Sequence, residues 1–158
     1  MYYFAYGSNM DINHFFQYIC KSNVKIIGGG YVSDYIFKYR HINVPKLRSG
    51  VANIEPRKNS KTYGVIYAID DDWVFTELDK KEGYISKNNK SNKYHKIQIN
   101  CKLLDTEKSF QCFTYQMNDY NDLPEKAPRA QYIKYLENGH WFHKLPTDHL
   151  KRINYIFE

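Results

Sequence analysis

Short apolar runs with a two-residue period dominate the chain, and these predict strands. Tyr2 to Tyr6 is a run of aromatic and small residues, Tyr35-Ile-Phe-Lys-Tyr-Arg40 alternates, and Thr62-Tyr-Gly-Val-Ile-Tyr-Ala-Ile69 is rich in β-branched and aromatic side chains. Residues Lys96 to Leu104 alternate apolar with polar positions, and Phe110 to Met117 reads as a further strand. Val51-Ala52-Asn53-Ile54 predicts a short strand ended by Pro56.

Fewer segments carry helical spacing. Asp11 can cap a helix through Phe15, Phe16 and Ile19, and Asp71 or Asp72 can start another that carries Trp73, Val74 and Leu78 and stops at Gly83. Arg129 to Glu137 places Tyr132, Ile133 and Leu136 on one side ahead of Gly139. A last helix follows Pro146, with Leu150, Ile153 and Ile156 facing inward. Between them, Ser86-Lys-Asn-Asn-Lys-Ser-Asn-Lys93 has no apolar residue and reads as a mobile surface loop. The pattern is mixed α+β, without an internal repeat or linker. At 158 residues it predicts one domain, 1–158, with a core that needs no disulfide or metal.

Composition adds few constraints. No stretch approaches the roughly 20 apolar residues that cross a bilayer, and the run from Tyr2 to Tyr6 is short and lacks a basic leader, so a cytoplasmic protein is expected. Cys20, Cys101 and Cys112 are odd in number and lack CxxC spacing, which favours reduced structural thiols. His140-x-x-His143 has no partner at ligand spacing, so no metal is expected. The net charge of +6, with 16 Tyr and 9 Phe, raises the question of nucleic acid. The basic residues are dispersed, however, and densest around Lys87, Lys90 and Lys93, where a solvated loop face explains them.

Two places carry chemistry. In Met1-Tyr-Tyr-Phe-Ala-Tyr-Gly-Ser-Asn-Met10 a strand breaks at Gly7, ahead of an Asp-capped helix. Gly7 lets the chain turn tightly and lets a ligand approach the main chain, and the following amides suit an anion or oxyanion. An ordinary strand-to-helix turn is the alternative. Ser8 lacks Gly-x-Ser-x-Gly and a nearby base, so its N–H is the better candidate than its hydroxyl. Glu82 closes a predicted helix, where the negative end of the dipole raises a carboxylate's pKa toward a range useful for proton transfer. A solvated Glu flanked by Lys80 and Lys81 is the alternative. Asp79 shares its helix face; a second carboxylate of the site is the alternative, but it is expected rather to orient or cap the turn.

Taken in order, Tyr3-Phe-Ala-Tyr-Gly-Ser-Asn9, Gly50-Val-Ala-Asn-Ile54, Gly64-Val-Ile-Tyr67, Leu78-Asp-Lys-Lys-Glu-Gly83 and Tyr115-Gln-Met117 resemble the γ-glutamylcyclotransferase-like family, and so do Ala127 to Gly139 and Leu145-Pro146. The resemblance implies a small mixed β-barrel core with flanking helices. It also implies conversion of a γ-glutamyl amino acid or amine to 5-oxoproline and the free amine, without cofactor or metal. By the same resemblance Glu82 is the catalytic acid/base, while Tyr3, Phe4, Ala5, Tyr6, Gly7 and Ser8 bind substrate together with Tyr132. The implied partner is a small γ-glutamyl substrate, with neither nucleic acid nor membrane, and a homodimer is allowed. Leu47-Arg-Ser-Gly50 departs from the glycine-rich approach to Val-Ala, so the pocket edge near Ser49 differs, and Arg129-Ala130 replaces a Ser-containing turn. The basic loop after Glu82 can also cover the site. A non-catalytic member of the fold that binds a small carboxylate or a protein stays open as the alternative.

Overall fold

The computed structural model describes residues 1–42 and 48–154. Leu47 at the divergent pocket edge and Ile156 of the last helix lie outside the described residues. Five strands, β1 (Tyr2–Ala5), β2 (Val24–His41), β3 (Gly50–Ile69), β4 (Tyr94–Leu103) and β5 (Ser109–Met117), form a closed barrel in the order β1-β3-β2-β4-β5. All pairs are antiparallel except β1 with β5, where Tyr2 and Tyr3 lie beside Cys112 and Phe113 in parallel. That pairing closes the barrel and leaves β1 without a free edge.

β1 shows why the N-terminal run is apolar at consecutive positions. Side chains alternate across a strand, and both faces of β1 are covered. Tyr3 and Ala5 pack with Phe15, Trp73 and Leu78, whereas Phe4 and Tyr6 pack with Val32, Ile54, Ile66, Ile99 and Cys112. Burying each large apolar side chain contributes about 1.5–3 kcal/mol, so the double-sided burial of β1 anchors the turn that follows it.

The structure differs from the sequence expectation in strand length. Strands expected at 51–54 and 62–69 are one strand, β3, running through the exposed Pro56, and the strand expected at 35–40 is the second half of an 18-residue β2. Pro56 is tolerated because it pairs with Tyr35 next to a register shift between Ser33 and Tyr35, where a ladder hydrogen bond is already disturbed. Gly28-Gly29-Gly30 concealed the first half of β2. Gly28 has φ +150° and follows a second register shift, so it bends the strand rather than ending it.

Helices cover the barrel in short pieces: α1 (Ile12–Phe15), α2 (Asp71–Trp73), α3 (Asp79–Glu82), α4 (Ala130–Phe142) and α5 (Thr147–Ile153). The Asp11 carboxylate caps α1 by accepting from Asn13 N (2.9 Å) and His14 N (3.2 Å). α1 stops at Phe15 rather than reaching Ile19, because the next amides bond three residues back, Gln17 N to His14 O and Tyr18 N to Phe15 O. The second helix is capped by Asp70, one residue earlier than expected, and a π-helical stretch, Val74–Leu78, separates α2 from α3. α4 passes through Gly139 instead of ending before it, since a Cβ there would lie 2.5 Å from Met10 Cβ and only glycine fits the contact. All three cysteines are free. Among the described residues no helix is long and apolar enough to cross a membrane.

Candidate active site

The N-terminal turn and the end of α3 meet at a small cavity of about 40 Å³, lined by Tyr3, Tyr6, Gly7, Ser8, Asn9, Ala52, Glu82, Tyr94, Thr114, Tyr115 and Tyr132. It has room for a few water-sized groups and therefore for one end of a small molecule. Six of the eight residues singled out from the sequence line it. Phe4 and Ala5 do not: both are fully buried, and the Phe4 carbonyl accepts from Thr114 Oγ1 at 2.7 Å. Ser49 does not line it either, but Ala52, three residues further along β3, does.

Each element delivers its residue for a local reason. Gly7 has φ −108°, so left-handed backbone does not explain the glycine. Close approach does, because a Cβ at Gly7 would stand 3.1 Å from the Tyr132 hydroxyl. That hydroxyl accepts a hydrogen bond from Ala52 N (3.0 Å). Burial pushes the Tyr132 pKa up to about 12, and the bond from Ala52 pulls the other way, as do the Ser8 amide and hydroxyl. Part of the Ser8 donor capacity therefore faces Tyr132. A turn of 3₁₀ helix, Ser8–Met10, intervenes before α1, closed by Met10 N to Gly7 O and Asp11 N to Ser8 O.

Glu82 is the last residue of α3, followed by Gly83 in the left-handed conformation (φ +69°), which ends the helix as the sequence suggested. Its carboxylate is half-buried and accepts from Asn9 Nδ2 at 3.2 Å. Burial raises its pKa above the ordinary glutamate range, Lys81 and the Asn9 bond counteract the rise, and Asp79 adds to it. Burial also pushes up the phenols of Tyr3, Tyr6, Tyr94 and Tyr115, so around Glu82 they stay protonated at neutral pH.

Asp79 points elsewhere. Lys96 of β4 lies 2.8 Å from Asp79 Oδ1, and Tyr115 donates to the same oxygen at 2.5 Å. Asp79 thus holds the pocket's Tyr115 and has no place in the cavity. Other hydroxyls are tied down as well: Tyr6 donates to Tyr115 O, Tyr94 to Ala52 O (3.2 Å) and Tyr67 to Asn9 O (2.8 Å). The loop 86–93 contributes nothing to the cavity lining, and Asn92 staples it to itself by accepting from Ile85 N and donating to Ser86 O.

The sequence matches the family described as "Gamma-glutamyl cyclotransferase, AIG2-like" over residues 3–142. The chain belongs to that family. No curated protein matches the sequence. Among solved structures, a protein titled "Gamma-glutamyl cyclotransferase" superposes with a TM-score of 0.83 at 20% identity, covering 99% of this chain and 88% of the other. The human uncharacterized protein loc79017 gives 0.81 at 20% identity, covering 99% and 91%. YkqA from Bacillus subtilis gives 0.71 at 23% identity, covering 96% of this chain and 53% of the other. These likenesses establish a shared fold. They agree with the closed five-stranded barrel and flanking helices described above.

The side chains of Asn9, Tyr94, Tyr115 and Lys81 escaped the sequence reading. Asn9, Lys81 and Tyr115 lie inside the motifs that resemble the family, which was the available signal. Tyr94 had none, because a tyrosine opening a strand reads the same in a core and in a pocket.

Proposed function

We propose that the protein is a γ-glutamylcyclotransferase, which converts a γ-glutamyl amino acid or γ-glutamylamine into 5-oxoproline and the free amine. One observation carries this reading: a partly buried carboxylate, Glu82, shares a small tyrosine-lined cavity with the Gly7-Ser8 turn in a chain of this family.

The chemistry needs few groups. The substrate's α-amine attacks its own γ-carbonyl, forming the ring C–N bond, and the C–N bond to the departing amine then breaks. Nucleophile and electrophile share one molecule, so folding the chain into a near-attack geometry can supply on the order of 7–11 kcal/mol of the barrier. Glu82 takes the proton that the α-nitrogen loses and returns one to the leaving nitrogen, so no water or other reactant enters the balance. A carboxylate with a raised pKa suits both transfers better than an ordinary one. The backbone of the Gly7 to Asn9 turn faces the substrate's carboxylate or the developing oxyanion. Tyr3, Tyr6 and Tyr132 shape the walls, and Phe4 and Ala5 act by fixing the strand that carries the turn. The cavity admits the glutamyl end and leaves the amine portion at its mouth.

The test is a panel of γ-glutamyl compounds, such as γ-glutamyl-alanine and a γ-glutamylamine, with 5-oxoproline and free amine measured together. The reading expects the two products in equal amounts from at least one member of the panel. Release of glutamate in place of 5-oxoproline would identify a hydrolase and overturn it.

A further inference from the structure

Lys81 precedes Glu82 on α3, and its ammonium is folded inward instead of extending into water. It donates to Asn9 Oδ1 and lies over the rings of Tyr18 (4.8 Å) and Phe15 (5.8 Å). The other end of the same amide, Asn9 Nδ2, donates to Glu82 Oε1 (3.2 Å) and to the Tyr3 hydroxyl (3.0 Å). Asn9 therefore stands between a cation and an anion.

An ammonium only donates and a carboxylate only accepts, whereas an amide has one end of each kind. With both charges present, Asn9 has a single admissible orientation. Turned over, it would set its NH₂ against the ammonium and its oxygen against the carboxylate. The residue cannot move away from either charge, because its backbone carbonyl is held by Tyr67 and it is 4% exposed.

We infer that Lys81 is a positioning residue for Glu82: its ammonium locks the Asn9 amide so that the N–H stays on the Glu82 carboxylate, and this relay sets the pH at which that carboxylate gains a proton. The inference rests on the cyclotransferase reading for its catalytic meaning but on geometry alone for the relay.

The surroundings leave this task to Lys81. On α3 itself, Asp79 opposes it, but Asp79 is neutralised by Lys96 of β4. Tyr3 of β1, Tyr6 after it, Tyr94 of β4, Tyr115 of β5 and Tyr132 of α4 are all pushed up by burial and stay uncharged. From α1, His14 faces Lys81, and burial together with Lys81 pushes its imidazole down, so it is neutral at pH 7. Arg129 and Asp11 bear on His14, and Asp11 is engaged with Asn138 at 2.8 Å. Among the described residues Lys81 is the cation that bears on Glu82 and opposes the effect of burial. Lys81 is itself pushed below the ordinary lysine range by desolvation, and Glu82 partly restores it, so each charge supports the other.

The test compares the full chain as wild type, Lys81→Met, Lys81→Arg and the two Asn9→Ala forms with and without Lys81→Met. Two readouts are taken: the pH profile of kcat/KM for 5-oxoproline formation, and a ¹³C NMR titration of the Glu82 carboxyl in the free protein. Lys81→Met is expected to move the acid limb and the NMR midpoint together toward alkaline pH. Its loss of kcat/KM should be large on the acid side and small on the alkaline side. Lys81→Arg, which keeps a charged donor, should retain the wild-type midpoint, and it stays informative where the methionine variant folds poorly. In the Asn9→Ala background Lys81→Met should move the midpoint by less than it does in wild type. An unchanged midpoint in Lys81→Met would overturn the inference, and so would an equal shift with and without Asn9. If wild type yields no 5-oxoproline from any substrate, the cyclotransferase reading fails while the NMR titration still decides the relay.

Discussion

Glu82 is held where a carboxylate is disfavoured, at the C-terminal end of α3 and among protonated phenols. Its raised pKa has a consequence for stability whose sign can be worked out. Below both the native and unfolded values the group is protonated in each state and costs nothing. As pH rises the unfolded chain ionises first, so stability falls until the native value is passed, and above it the loss is constant. Glu82→Gln has no such loss. Its melting temperature is therefore expected to exceed that of wild type at pH 7–8 and to match it near about pH 3, below the ordinary glutamate value of about 4.3. A thermal melt at both pH values checks this, and an equal offset at both would contradict it. Glu82 was legible in the sequence because a Glu before a helix-ending Gly is a local pattern. Its partners were not, since Asn9 and Lys81 lie 72 positions apart and meet only once the chain is folded.

Among the elements, α4 is placed by a single glycine. Gly139 brings the helix onto Met10, and with it Tyr132, whose hydroxyl reaches Ala52 and Gly7. Ala at 139 would improve helix propensity by up to about 1 kcal/mol. Its Cβ would also meet Met10 Cβ at 2.5 Å and Met10 backbone at 2.9 Å, where the neighbour cannot swing aside. Overpacking of this kind costs about 1–3 kcal/mol, so the clash wins. Gly139→Ala is expected to lower stability in a urea melt by about 1–2 kcal/mol and to lower kcat/KM with it, because α4 carries Tyr132. A stabilised variant would show that the contact yields. The same glycine explains why the sequence placed the end of this helix too early: glycine commonly stops a helix, and only the packing partner reveals that here it permits one. Pro56 misled in the same way, because a signal that usually ends a strand here sits beside a register shift within a long one.

At the scale of the whole molecule, barrel closure explains why the site is assembled from distant segments. β1 lies between β3 and β5, so the turn after it opens beside Ala52 of β3 and Tyr115 of β5, while α3 and α4 bring Glu82 and Tyr132 over the same place. Alternation identified most of the strands, but the parallel pairing of β1 with β5 has no local signature, since it joins residues about 110 positions apart. The barrel itself was named through the family resemblance and not through periodicity. Glu82 is the carboxylate in the cavity lining, and under the proposed function it alone carries the proton transfers. Formation of 5-oxoproline from γ-glutamyl substrate should be followed for wild type and Glu82→Gln side by side, with a melt to confirm that both are folded. A folded variant slower by about 10²–10⁴-fold, the usual weight of general acid–base catalysis, is the predicted result, and equal turnover by the two proteins would contradict it.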